Sequence, residues 1–182
     1  AQIRTKIKTK KIIKKNKKFK LNKKGDFTFY PPETFDLLKK GDILNIGFSG
    51  LKAKIIKKIK NDFELLCMSE GYLENNKGVH IENRRMRLRF ITKKDEKCIK
   101  LGLTLGIKNF ALSFTNSITD IKKFQKILPT QNKIFKIETN NAVKNIDLFF
   151  KEEKNFLIDR GDLSKSTGIE KIPVIQRNIL KK

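Results

Sequence analysis

The second half of the sequence repeats one pattern, a short apolar run followed by a stretch with helical spacing. The runs occupy residues 110–114, 134–138 and 156–158. Between them, apolar residues recur at helical intervals behind capping residues such as Ser117. Strands that alternate with helices in this way indicate βαβ units and a parallel sheet. Three units are too few to close an eight-stranded barrel, so this half resembles a segment of something larger.

The first half has a different pattern, with short strand-like runs separated by turn residues. Residues 27–30, 43–48 and 63–67 are apolar or alternating, and glycine, asparagine and aspartate punctuate the chain between them. This spacing predicts a small antiparallel sheet or barrel. The lysine-rich segment 6–24 is interrupted by apolar residues and predicts an exposed strand pair with a polar face. The pattern changes near residue 91, where Thr92-x-x-Asp95 predicts the capped start of a helix.

Charge alone would favour an anionic partner, because the formal net charge is +24. Only seven of the 43 basic residues are Arg, the residue best suited to bidentate phosphate and base contacts. Lys, Ile, Asn and Phe are abundant together, which is typical of a genome-wide compositional bias. We expect attraction of anionic phosphometabolites and nucleotides, and we leave a nucleic-acid partner open as the less favoured interpretation.

Other features limit the class of protein. Cys67 and Cys98 lie far apart and neither belongs to a C-x-x-C pair, so zinc and disulfide readings are weak and a reducing cytosol fits. The sequence has no apolar run of about 18 residues and no signal-peptide pattern, so we expect no membrane span and a cytoplasmic location. The chain begins at Ala1 and not at Met, which leaves open that residues precede it.

Two short motifs follow the predicted parallel strands, Lys136-Ile137-Glu138 and Arg160-Gly161-Asp162. Carboxyl ends of parallel barrel strands gather on one face, so Glu138 and Asp162 are expected to share a site. Two carboxylates suit Mg²⁺, and Lys136, on the same side of its strand as Glu138, could stabilise a transferring phosphoryl group. Each motif alone is also typical of a solvated pair or a simple turn.

At these residues the sequence resembles the pyruvate kinase family. Lys136-Ile137-Glu138 is similar to the family's K-I-E motif, and Arg160-Gly161-Asp162-Leu163 is similar to its R-G-D-L motif. Further pieces follow in the family's order along nearly the whole chain: Ile3-Arg4-Thr5, Lys77-Gly78-Val79, Lys94-Asp95, Ser113-Phe114, Glu170-Lys171 and Gln176.

The resemblance implies an α/β fold, part of a (β/α)₈ TIM-type barrel with an inserted small all-β (B-type) domain. Residues 4–88 would be the lid domain, and residues 89–182 would be βα units of the barrel, with residues 1–3 as the end of a preceding strand. The implied reaction is phosphoryl transfer from phosphoenolpyruvate to ADP, giving pyruvate and ATP, in a homo-oligomeric enzyme that uses Mg²⁺ (or Mn²⁺) and K⁺.

The resemblance also implies a role for each candidate site residue. Lys136 would contact the phosphoryl group, Glu138 and Asp162 would bind the divalent ion, and the backbone around Arg160 and Gly161 would hold the substrate carboxylate. Ser113 is implied as a further substrate-binding residue.

The sequence departs from the family pattern at several positions. Asp159 stands where the family has a small Ala and is expected to crowd or alter the metal site, and Asn116 replaces an Arg. Ser164 and Ser166 replace a Gly and a Glu. The family's early strands, with most potassium ligands, and its late strands would lie outside these residues. We expect either a piece of a longer enzyme or a shortened relative, with a degenerate, basic, non-catalytic binding module as the alternative.

Overall fold

The computed structural model describes residues 2–84, 86 and 88–182 and has a mixed α/β fold. The chain divides into two compact units, residues 2–88 and residues 89–182. In the described part of the chain, every helix is too short or too polar to cross a bilayer.

The first unit is built almost entirely of strands. They are β1 (Ile3–Ile7), β2 (Lys11–Ile13), β3 (Lys18–Asn22), β4 (Phe27–Tyr30), β5 (Ile43–Ile46), β6 (Leu51–Ile59), β7 (Asp62–Ser69), β8 (Gly71–Leu73) and β9 (Gly78–Ile81), with a short helix α1 (Thr34–Leu37).

Seven of these strands form one antiparallel sheet that nearly closes on itself. Its order is β3-β7-β6-β5-β9-β1-β4. The edge strands β3 and β4 approach each other through Phe19 and Phe27, whose stacked rings have centroids 6.1 Å apart. Strands β2 and β8 pair separately. Near-closure leaves little free edge for pairing with another chain.

Alternation along the strands creates the core of this unit. In β6, Leu51, Ala53 and Ile55 are buried, whereas Lys54 points to solvent. The same alternation in the neighbouring strands completes one apolar cluster, which includes Leu21, Leu44, Ile46, Phe63 and Leu65. Lysine side chains at the alternate positions therefore lie on the outer, solvent-exposed face of the sheet.

The lysine-rich segment 6–24 does form strands, but its predicted pairing is wrong. β2 pairs with β8, and β3 pairs with β7. The partner of β3 comes from distant sequence, and Leu21 of β3 is buried in the same core as Phe63 and Leu65 of β7. Ile3 belongs to β1 of this same sheet, and Ala1, at the start of the segment predicted to end a preceding strand, lies outside the described residues.

The second unit contains three parallel strands with helices between them. The strands are β10 (Asn109–Leu112), β11 (Asn132–Ile137) and β12 (Phe156–Ile158), in that spatial order. The helices are α2 (Lys93–Thr104), α3 (Ile118–Ile127), α4 (Asn140–Lys144), α5 (Ile146–Glu152), α6 (Arg160–Thr167) and α7 (Ile172–Leu180), with a 3₁₀ turn at Ile169–Lys171.

Capping residues set where these helices begin. Thr92 and Ser117 each form a capping box with the aspartate three residues on. The sequence predicted the box at Thr92 and a cap at Ser117. Thr139 and Asp159 cap α4 and α6 by accepting the backbone N–H groups of Ala142 and Asp162. The chain therefore turns into a helix soon after each parallel strand ends.

Two helices follow the last parallel strand. Arg160-Gly161-Asp162, a motif that alone is also typical of a simple turn, lies in the first turn of α6. Helix α7 begins at Ile172, after the 3₁₀ turn. Side-chain capping by Asp159 explains why α6 begins directly after β12, because it satisfies a backbone donor that a turn would leave to solvent.

Candidate metal and phosphoryl-transfer site

Side chains alternate between two sides at the end of strand β11 and in the residue that follows it, Glu138. Phe135 and Ile137 are fully buried in the core of the second unit. Lys136 and Glu138 point the other way, and their Nζ and Oε1 atoms lie 2.7 Å apart. Glu138 is only 1% exposed, so its carboxylate needs partners within the protein.

The ammonium group of Lys136 lies between two carboxylates. Besides Glu138, it donates a hydrogen bond of 2.8 Å to Oδ2 of Asp159. Asp159 is held beside β11 because its backbone N–H donates to the carbonyl of Ile137 at 3.1 Å. Sequence reasoning identified Asp159 as a departure that would crowd the site, but did not predict this ion pair.

Asp162 reaches the same group from helix α6. Its backbone N–H donates to Oδ1 of Asp159 at 3.2 Å, and its carboxylate lies 3.3 Å from Nζ of Lys165. Lys165 sits one helical turn after Asp162, and its side chain is largely buried. Its role was not predicted, because the i, i+3 spacing is informative only once α6 is known.

A backbone group from the neighbouring strand completes the surroundings of Glu138. The N–H of Phe114, just after β10, donates a hydrogen bond to Oε2 of Glu138. Phe114 has φ 55, a left-handed conformation that costs energy for a non-glycine residue. The Phe114 N–H and the Lys136 ammonium thus both donate to this buried carboxylate.

The ionisation of these groups follows from burial and pairing. Burial raises the pKa of Glu138 above its ordinary value, against the opposing effects of Lys136 and the Phe114 N–H. Burial alone would lower the pKa of Lys136, but its hydrogen bonds to Asp159 and Glu138 raise it. The hydrogen bond from Lys136 lowers the pKa of Asp159. Lys136 is therefore charged at neutral pH, and burial disfavours the anionic form of Glu138.

Three carboxylates converge at this point. One oxygen each from Glu138, Asp159 and Asp162 can be chosen so that all three lie within 4.8 Å of one another. Hard oxygen donors in such a group suit Mg²⁺ or Mn²⁺. A cation would stabilise the anionic form of Glu138, which burial disfavours, so the residues present fit a divalent metal ion.

The predicted substrate-binding residues Ser113, Arg160 and Gly161 lie around the three carboxylates. Ser113 is exposed in the turn after β10, next to Phe114. The side chain of Arg160 lines a groove with Phe156 and Gln176. Gly161 is exposed, and a Cβ there would meet Oδ1 of Asp159 at an ordinary 3.5 Å. The structure thus brings together Lys136, Glu138 and Asp162, while Arg160 and Gly161 offer backbone at the start of α6.

Asn116 joins the loops that follow β10 and β11. Its Nδ2 donates to the carbonyl of Phe114 at 2.7 Å, and its Oδ1 accepts from Oγ1 of Thr139 at 2.7 Å. Its backbone N–H donates to Asp120 at 3.0 Å. A side chain that differs from the family's usual Arg therefore fixes the loop that presents Phe114 to Glu138.

Arg84 has a structural role in the first unit. Its guanidinium donates to both oxygens of buried Asp42, at 2.6 and 2.7 Å.

Comparison with known proteins identifies relatives across the chain. A family model described as "Pyruvate kinase, barrel domain" matches residues 2–182. The chain is 30% identical over 165 residues to a pyruvate kinase of Thermococcus litoralis, covering 87% of this chain and 35% of that protein. It is 28% identical over 183 residues to one of Methanocaldococcus jannaschii, covering 97% and 40%. For one of Bacillus licheniformis the values are 31% over 145 residues, 77% and 25%. The chain thus spans well under half the length of these relatives.

Proposed function

This chain belongs to the pyruvate kinase family, and on that basis we propose that the protein transfers the phosphoryl group of phosphoenolpyruvate to ADP, giving pyruvate and ATP. The observation that carries the proposal is the group formed by Lys136, Glu138 and Asp162 at the carboxyl ends of two adjacent parallel strands. A phosphoryl-transfer site needs little more from a protein than positioned charge.

Each residue of the group has a part in the proposed reaction. Glu138 and Asp162 would hold the divalent ion, which when bound supplies positive charge to the enolate and phosphoryl oxygens. Lys136 would act as a point charge on the phosphoryl group in flight. Backbone groups at Arg160 and Gly161 would bind the substrate carboxylate, with Ser113 at the rim of the site.

The wider assignments are also part of the proposal. Residues 89–182 would be a segment of a TIM-type barrel, and residues 4–88 would be an inserted lid that excludes water during transfer. The K⁺ requirement, the homo-oligomer and the cytoplasmic location follow only from the family, and we assign no residue of this chain to K⁺.

The test is a lactate-dehydrogenase-coupled assay of the complete chain with phosphoenolpyruvate, ADP, Mg²⁺ and K⁺. Lys136→Met should lower kcat by about 10²–10³-fold, the effect of losing one preorganised charge in a transfer site. Lys133→Met is the matched control, because Lys133 lies on the same strand but donates to the carbonyls of Leu128 and Gln131. Undiminished turnover in Lys136→Met, or none in the unmodified protein, would refute the proposal.

The alternative, a basic binding module without catalysis, is motivated by the net charge of +24. It predicts nucleic-acid binding whose affinity falls steeply with salt concentration. A filter-binding titration at low salt that detects no complex would eliminate it.

A further inference from the structure

We propose that Asp159 is a positioning residue, which holds the ammonium group of Lys136 so that Glu138 stays available to a divalent ion. The inference rests on the proposed function, and it deepens that function at a position where this chain departs from the family's usual Ala. It gives Asp159 a role through Lys136 and not as a ligand of the metal ion.

The geometry places Lys136 between two competing partners. Its Nζ lies 2.7 Å from Glu138 and 2.8 Å from Asp159. The two carboxylates differ in burial, because the Glu138 side chain is 1% exposed and that of Asp159 is 29% exposed. An ammonium paired with Glu138 alone would interact strongly with it in a region of low dielectric constant.

A metal ion that binds Glu138 must take over part of this ion pair. With Asp159 present, the ammonium keeps a carboxylate partner when Glu138 turns to the ion. Without the charge of Asp159, Lys136 would have to lose its partner or compete with the ion for Glu138. Asp159 therefore lowers the cost of metal binding and leaves Lys136 beside the ion, where phosphoryl transfer needs it.

The second carboxylate oxygen of Asp159 has a separate role. The negative charge of Asp159 can therefore be removed by substitution while this second role is kept. Oδ1 caps helix α6 by accepting the N–H of Asp162 at 3.2 Å. Asn is as good a helix cap as Asp, so Asp159→Asn removes the charge and keeps the cap. Asp159→Ser is a second uncharged capping variant, for use if the first does not fold.

The experiment is a titration with Mn²⁺ alone, followed by electron paramagnetic resonance of the free ion. It compares the unmodified protein, Asp159→Asn, Lys136→Gln and the double variant, each checked for folding by circular dichroism. Asp159→Asn should weaken Mn²⁺ binding by about 10–100-fold, as loss of an outer partner of a metal ligand does. In the Lys136→Gln background the same change should alter the affinity by less than about threefold.

Each outcome decides the question. Equal weakening in both backgrounds would show that Asp159 acts on the ion directly, and no weakening in either would show that it has no such role; both overturn the inference. Failure of the unmodified protein to bind Mn²⁺ would remove the proposed metal site itself, and the inference with it. Asp147→Asn, an exposed aspartate paired with Lys182, controls for the change in net charge and should bind like the unmodified protein.

Discussion

Two buried carboxylates show how this chain offsets the cost of removing a charge from water by pairing that charge inside the protein. Glu138 and Asp42 are 1% and 2% exposed, and each has a basic side chain and a backbone N–H as partners. Asp42 accepts from Arg84 and from the N–H of Lys39 at 2.8 Å. Removing one partner of a buried pair leaves the other charge without compensation, so stability depends on these few contacts.

Arg84→Ala should destabilise the first unit strongly. The substitution leaves the Asp42 carboxylate buried with only backbone help, and it also removes the 2.6 Å hydrogen bond to the carbonyl of Leu37. We expect a loss of about 3 kcal/mol, the low end for a buried pair because the Arg84 side chain is 29% exposed. Urea unfolding followed by circular dichroism measures it.

Arg4→Ala is the matched control, since Arg4 donates to an exposed carbonyl, that of Asn76, at 3.3 Å. It should cost less than about 1 kcal/mol. Equal effects of the two substitutions would show that the Asp42 pair has no special importance.

Residue-level prediction succeeded where periodicity decides the answer. Alternation along a strand was enough to place Lys136 and Glu138 on one side. It could not show that Lys136 divides its hydrogen bonds between Glu138 and Asp159, because that depends on the register of β11 against β12. The links from Asn116 to Phe114 and Thr139 likewise depend on two loops that are distant in sequence.

Secondary-structure elements were predictable where capping and patterning agree. The three parallel strands and the capped starts of α2 and α3 are confirmed. Helix α6 was not predicted because its segment contains Gly161, two serines and a threonine, which are poor helix formers. In addition, Asp159 was interpreted as a residue of the metal site and not as the N-cap of a helix. β6, the longest strand, was not singled out because paired lysines interrupt its alternation near a bulge.

Helix α3 should depend measurably on its N-cap. Ser117→Ala removes the acceptor for the Asp120 N–H, at 3.2 Å, and breaks the capping box. The expected loss in free energy of unfolding is about 1 kcal/mol, measured by urea denaturation.

Ser117→Asn provides the control, because Asn caps helices as well as Ser and should keep most of the stability. The same loss in both variants would mean that another contact of the hydroxyl, and not the cap, supports the helix.

At the scale of the whole molecule, each unit has its own apolar core. The cluster of residues 2–88 includes Leu21, Leu44, Ile46 and Leu65, and that of residues 89–182 includes Phe135 and Phe149. Composition predicted that a core could form, but the pairing order β3-β7-β6-β5-β9-β1-β4 joins strands that no local pattern connects.

A polypeptide of residues 2–88 should fold by itself. Its sheet nearly closes, and its core draws on residues of this unit alone. We expect a cooperative urea transition and dispersed amide resonances in an NMR spectrum. A non-cooperative transition would show that this unit depends on the rest of the chain.

The most direct test of the central claim is Mn²⁺ binding to the purified protein and to Glu138→Gln, followed by electron paramagnetic resonance. Glu153→Gln, whose native carboxylate accepts from Gln125 at 2.9 Å, is the matched control. We predict one bound ion in the unmodified protein and in Glu153→Gln, and in Glu138→Gln a loss of affinity beyond the roughly 10–100-fold that an outer partner contributes. Equal Mn²⁺ affinity in all three proteins would contradict the assignment of Glu138 as a metal ligand.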